Sequence, residues 1–150
     1  MTRLLVLFLF AVVGWAQPKF EDYPVAKTHS GKPATAKVER AGDRMFRTRI
    51  REGAAKGPNF AGRFTVVQWG CGSGCVSTVI VDAGNGTVYH LPGAELGCSD
   101  LMCSMNMMCQ QGDAPWYRLD SELLIVRHCK GEEARTDYLR WTGTKFVAVK

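Results

Sequence analysis

The chain has 150 residues, six of them cysteine, and 46% of them hydrophobic, a length that predicts one domain with its own core. After residue 16 no apolar run approaches the ~20 residues that a spanning helix needs, so we expect no transmembrane segment in the mature chain. The net charge of +5 is uneven: residues 17–63 contain eleven Lys or Arg against five Asp or Glu, and residues 64–150 contain seven against nine.

The first sixteen residues have the layout of a secretory signal peptide. Arg3 supplies a positive charge, an apolar run extends from Leu4 to Val13, and the small residues Gly14 and Ala16 precede a plausible cleavage site before Gln17. We therefore expect an exported protein, periplasmic or secreted, whose mature chain begins near Gln17.

Residues 17–37 are rich in Lys, Pro, Thr and Ala, which predicts an extended N-terminal arm. A helical pattern follows over residues 39–55, with an apolar side formed by Met45, Phe46, Ile50 and Ala54 and an end at Gly57-Pro58. Basic residues recur along the other face at spacings of four, three and four: Arg40, Arg44, Arg47 and Arg51. Such a stripe is more often a solvated surface than a binding site. If it binds, anionic lipid head groups or cell-wall polymers suit it better than nucleic acid.

From residue 60 onward, β-branched and aromatic residues alternate with glycine-containing turns, which predicts successive antiparallel strands. The predicted strands are Phe60–Trp69, Val76–Asp82, Thr87–Leu91, Leu123–Cys129, Thr136–Trp141 and Lys145–Val149. We therefore expect residues 38–150 to form one mainly β domain of the α+β class. It would be an antiparallel meander or sandwich-like fold preceded by one N-terminal amphipathic helix. Residues 93–115 lack periodicity and predict an irregular stretch rich in Cys and Met.

An even number of cysteines in an exported chain predicts structural disulfides: Cys71, Cys75, Cys98, Cys103, Cys109 and Cys129. Glycines around Cys71 and Cys75 allow a tight turn, so we pair those two. The further pairings Cys109–Cys129 and Cys98–Cys103 are one of several possible arrangements.

The same turn comes close to three catalytic motifs and completes none of them. Cys71 and Cys75 are separated by three residues rather than the two of a thiol oxidoreductase, and a strand-like run follows instead of a helix. Val76 stands where a papain-like site has an aromatic residue, and Cys71 stands where a serine-hydrolase elbow has glycine. A thiol-type or hydrolase-type enzyme at this turn remains an alternative, but the sequence assigns no catalytic residue and no cofactor.

A second alternative is binding of a soft metal such as Cu(I), which thiolate and thioether ligands favour. The candidate ligands are Met102, Cys103, Met105, Met107, Met108 and Cys109. Methionines of this kind equally serve as flexible packing, and oxidised cysteines would leave only the thioethers. The sequence therefore predicts no firm metal site.

Three segments together resemble a group of uncharacterised exported bacterial proteins: residues 57–64 (GPNFAGRF), 69–75 (WGCGSGC), and 79–82 (VIVD) followed by a glycine turn and Val88-Tyr89. The likeness covers about residues 20–92, and the stretch 93–115 departs from it. It implies a bacterial envelope setting and brings no activity with it.

These observations favour a non-catalytic envelope domain that binds an anionic surface or another envelope protein through its basic N-terminal region.

Overall fold

The computed structural model describes residues 17–72, 75–91, 116–130 and 133–150, without the side chains of residues 71, 72, 75, 76, 127–130 and 133–135. The predicted signal peptide, residues 1–16, and the Cys- and Met-rich stretch, residues 93–115, lie outside the described residues.

Seven strands and one short α-helix make up the regular structure of the described chain. Two 3₁₀ helices, Phe20–Asp22 and Ala41–Phe46, precede helix α1, Arg47–Ala55. The strands are β1 (Phe64–Gly72), β2 (Cys75–Asp82), β3 (Val88–His90), β4 (Trp116–Tyr117), β5 (Leu123–Lys130), β6 (Glu133–Trp141) and β7 (Phe146–Val149). They form two antiparallel sheets in the orders β1-β2-β3 and β4-β5-β6-β7, each following the order of the chain. The predicted mainly β, antiparallel class is confirmed.

The first sheet is buried on both faces, because neighbouring residues of a strand point to opposite sides. Val66 and Ile80 lie in a core shared with the second sheet, whereas Val67 and Val79 lie in a core beneath α1. This double burial explains why β1 and β2 are nearly continuous runs of hydrophobic residues rather than alternating ones.

Helix α1 packs on the first sheet through Ile50 and Ala54, which are its two buried residues. Gly53 permits the close approach: a Cβ built there would lie 2.3 Å from Val67 Cγ1. The glycine that lowers helix propensity is therefore needed for the contact with the sheet.

The predicted helix over residues 39–55 is α-helical only in its second half. Residues 41–46 form a 3₁₀ helix, and Arg40 has extended backbone (φ −63°, ψ 132°). Met45, predicted on the apolar side, is 82% exposed. Because a 3₁₀ helix has three residues per turn rather than 3.6, positions before residue 47 do not continue the face of the α-helix.

The second sheet closes the shared core from the opposite side. Leu124, Val126 and Trp141 point inward to meet Phe60 and Phe64. Trp141 packs edge-on against Phe64 with ring centroids 5.2 Å apart. The strand β4 was not predicted, since its two residues are too few to show periodicity.

The N-terminal segment is held to loops of both sheets by backbone hydrogen bonds. Its amides donate as follows: Val25 to Asp120 O (3.1 Å), His29 to Gly62 O (2.7 Å), Ala34 to Ala83 O (2.8 Å) and Lys37 to Gly86 O (2.8 Å). The segment therefore positions residues 25–40 beside the sheets. Among the described residues, no helix combines the length and hydrophobicity needed to cross a bilayer.

Candidate functional site

We give the name basic face to four residues of the 3₁₀ helix and α1, Arg44, Met45, Arg47 and Arg51, which do not share one continuous helical face. All four side chains are exposed. Within the described part of the chain none of the three arginines forms an ion pair, and Arg51 Nε makes a long hydrogen bond of 3.4 Å to Ala36 O. The face therefore presents several positive charges to solvent.

Arg40 does not belong to this face. Its extended backbone places it before the 3₁₀ helix, at a cleft of about 430 Å³ that it lines with Lys37, Asp43 and His90. There His90 Nε2 lies 2.9 Å from Asp43 Oδ2, so the pair links the 3₁₀ helix to β3. This contact could not be predicted from the sequence, because 47 residues separate the two partners.

Arg118 and Arg140 contrast with the basic face because each is paired with a carboxylate, whereas Arg49 of α1 is exposed without an ion pair among the described residues. Arg140 Nε donates to Glu122 Oε2 at 2.9 Å. Arg118 contacts both Glu21 and Asp120. The Arg118 hydrogen bond lowers the pKa of Asp120, while backbone hydrogen bonding and then Arg118 lower the pKa of Glu21. Both carboxylates thereby raise the pKa of Arg118.

A second cleft, of about 410 Å³, opens between the two sheets. We call it the inter-sheet cleft, and its main lining residues are Lys27, Arg63, Tyr89, Glu122, Trp141 and Thr144. Arg63 directly precedes β1. Its guanidinium donates to both oxygens of the buried Asp82, with Nη2 2.7 Å from each.

A third, larger groove of about 560 Å³ follows the outer face of the second sheet. Trp116, Ile125 and Tyr138 are aligned there as cross-strand partners, and Trp116 is 51% exposed. Lys19 and the neighbouring residues of the N-terminal segment form its other wall. Trp116 directly follows residues 92–115, which the structure does not describe.

The cysteines are placed only in part. Cys71 and Cys75 lie on the two strands at the tip of the β1–β2 hairpin, where the register shifts between Gly70 and Gly72. Because Cys75 begins a strand, the helix N-terminus that activates an oxidoreductase thiol is not available to it. Cys129 lies in β5 with its side chain outside the description, and Cys98, Cys103 and Cys109 lie wholly outside, so the disulfides stay predictions.

The candidate copper ligands between Met102 and Cys109 also lie outside the described residues. Among the residues that are described, no cluster of three or more His, Cys, Asp or Glu side chains could hold a metal ion.

Comparisons with family models, with curated proteins and with solved structures each returned no match.

Proposed function

We propose that this protein is a non-catalytic envelope domain that binds anionic surfaces through its basic face. The observation that carries the proposal is the set of exposed arginines without carboxylate partners, Arg44, Arg47 and Arg51, in a region where basic residues outnumber acidic ones. These unpaired arginines keep all of their donors and their full charge for an extended anionic surface, whereas Arg140 shares its charge with Glu122.

We propose an exported setting for this activity, with disulfides as the stabilising cross-links. The signal-like residues 1–16, the even number of cysteines and the resemblance over residues 20–92 support that setting. The fold would be sandwich-like, with the 3₁₀ helix and α1 together presenting one polar, basic side to the envelope. We infer no catalytic role and no cofactor.

Anionic lipid is the partner that the basic face fits best, because Met45 projects from it with 82% of its surface exposed. Peripheral membrane segments combine basic side chains with apolar ones that enter the head-group region. Each Lys or Arg near an anionic membrane contributes about 1 kcal/mol. A soluble polyanion would use the arginines but would gain nothing from Met45.

The test is co-sedimentation of the chain 17–150 with vesicles of phosphatidylglycerol and phosphatidylcholine in equal parts. We expect binding at low salt that weakens steeply toward physiological salt, because exposed charges are screened beyond ~8 Å there. Vesicles of phosphatidylcholine alone are the uncharged control. Binding that does not depend on salt, or no binding at low salt, contradicts the proposal.

The substitution Met45→Ser tests whether the partner of the basic face is lipid or a soluble polyanion. We expect a severalfold loss of vesicle binding, since roughly 1 kcal/mol of apolar burial disappears, and no change in retention on heparin. The matched control is Val147→Ser, another exposed apolar residue (43%) on the distant strand β7, which should change neither. Equal effects of the two substitutions on vesicle binding would favour a soluble polyanion as the partner.

A further inference from the structure

The inter-sheet cleft holds one arginine in a fixed position. Arg63 donates from Nε (3.0 Å) and Nη2 (2.7 Å) to the Asp82 carboxylate, which also accepts from the Gly84 amide at 2.7 Å. Asp82 is 4% exposed, whereas the Arg63 side chain is 47% exposed. Arg63 Nη1 makes no hydrogen bond with the described residues, so the guanidinium is oriented by Asp82 and retains donors for a further anion.

Gly84 is part of this arrangement. A Cβ built there would lie 2.6 Å from Arg63 Nη2 and 3.2 Å from its Cζ, so the guanidinium occupies the space that a side chain would need. The turn after β2 is thus shaped around Arg63 as well as around its own hydrogen bonds.

Trp141 lies in the wall of the same cleft. The residue is 2% exposed, and its indole Nε1–H has no acceptor among the described residues. Tyr89 packs edge-on against it at 5.2 Å, which extends the aromatic wall. Because the Nε1 atom itself is buried, Trp141 contributes to this wall as an aromatic ring.

The charges around the cleft favour an anion. Lys27 lies in the lining with Arg63, and it has no ion-pair partner in the described part of the chain. Asp82 is neutralised by Arg63 and Glu122 by Arg140, both through close contacts. The remaining charge, that of Lys27, is positive.

We propose that the inter-sheet cleft binds a small organic carboxylate. The carboxylate would accept from Arg63 Nη1, and the body of the ligand would pack against the aromatic wall that Trp141 and Tyr89 form. A volume of about 410 Å³ suits a ligand of this size. The proposal is independent of the basic face, because Arg44, Arg47 and Arg51 do not line this cleft.

The test is a titration of ¹⁵N-labelled chain 17–150 with phenylacetate, following the indole N–H signals. We expect the Trp141 signal, assigned with Trp141→Phe, to move saturably. Trp69 is the internal control, since its indole N–H is also buried without an acceptor but lies in the core beneath α1. Phenylacetamide, the neutral analogue, should bind at least tenfold more weakly.

Two substitutions complete the test. Arg63→Gln should weaken phenylacetate binding tenfold or more, and Lys27→Gln, which leaves the Asp82 pair intact, should weaken it a few-fold. If Arg63→Gln does not fold, the proposal is tested by phenylacetate binding to Lys27→Gln alone. The proposal is overturned if the Trp141 signal stays fixed with both phenylacetate and acetate, if the Trp69 signal moves equally, or if phenylacetamide binds as tightly as phenylacetate.

Discussion

The basic face and the inter-sheet cleft use arginine in opposite ways. Arg44 and Arg47 are exposed and unpaired among the described residues, on an element that contributes few residues to the core. Arg63 is held by two donor groups against a buried carboxylate, and the turn at Gly84 leaves room for it. The first arrangement suits a broad anionic surface whose geometry varies, and the second suits a small ligand of defined shape. Position and pairing, rather than residue type, separate the two.

The largest loss of stability should come from removing the carboxylate that holds Arg63 in place. Asp82→Ala removes a buried acceptor of hydrogen bonds from Arg63 and Gly84, and we expect a loss of about 3 kcal/mol in the free energy of unfolding. Asp120→Ala is the matched control, because Asp120 also pairs with an arginine, Arg118, but its side chain is 64% exposed. That substitution should cost far less, because solvent screens an exposed ion pair. Urea unfolding measures both, and equal losses would contradict the distinction between the buried and exposed pairs.

The second-largest loss of stability should come from disturbing the contact between α1, which carries part of the basic face, and the first sheet. Gly53→Ala places a methyl group 2.3 Å from Val67 Cγ1, so we expect a loss of roughly 2 kcal/mol from overpacking. Gly42→Ala is the control, since a Cβ there meets nothing within 4 Å. It should be neutral or stabilise by up to about 1 kcal/mol. Thermal unfolding checks the pair, and a stable Gly53→Ala variant would mean that α1 is not closely docked.

The smallest effect is electrostatic and lies at the exposed Arg118 cluster. The Arg118 hydrogen bond lowers the pKa of Asp120 below its ordinary value of 3.8. A lowered folded-state pKa stabilises the fold above the unfolded value, and this contribution disappears as the pH falls through the folded value. Arg118→Gln should therefore raise the Asp120 pKa toward 3.8 and slightly reduce acid resistance.

Carboxyl ¹³C titration by NMR measures this shift. Arg140→Gln is the control and should leave the Asp120 pKa unchanged, because Arg140 pairs with Glu122. An Asp120 titration that is identical with and without Arg118 would show that the contact contributes nothing in solution.

The strands could be predicted from the sequence because their signals are local. Val76–Asp82 has the β-branched composition of a strand, and it forms most of β2. Likewise Gly57, predicted at the helix end, has positive φ (93°), as does Gly86 in the glycine-containing turn between β2 and β3 (78°). A turn depends on neighbouring residues alone, so its position can be predicted from the sequence without knowledge of the fold.

The sites were harder to predict because they depend on contacts between distant residues. Arg63 and Asp82 lie 19 positions apart, and nothing in either segment indicates the pairing. Trp141 meets Tyr89 only after two separate sheets have packed together. The arginine stripe was predicted as one α-helical face, but the 3₁₀ helix at Ala41–Phe46 displaces Arg40 from it. A change in helix type of this kind reflects tertiary packing, which periodicity does not capture.

The most direct test of the central claim compares two double variants that lose the same charge from different surfaces. Arg44→Gln/Arg47→Gln removes two charges from the basic face, and Lys145→Gln/Lys150→Gln removes two exposed charges from the two ends of β7. At low salt we expect the first variant to bind phosphatidylglycerol vesicles roughly thirtyfold more weakly than the wild type, at about 1 kcal/mol per charge, and the second to bind nearly as the wild type does. Equal losses in the two variants would show that net charge alone governs binding, and would contradict the assignment of the basic face.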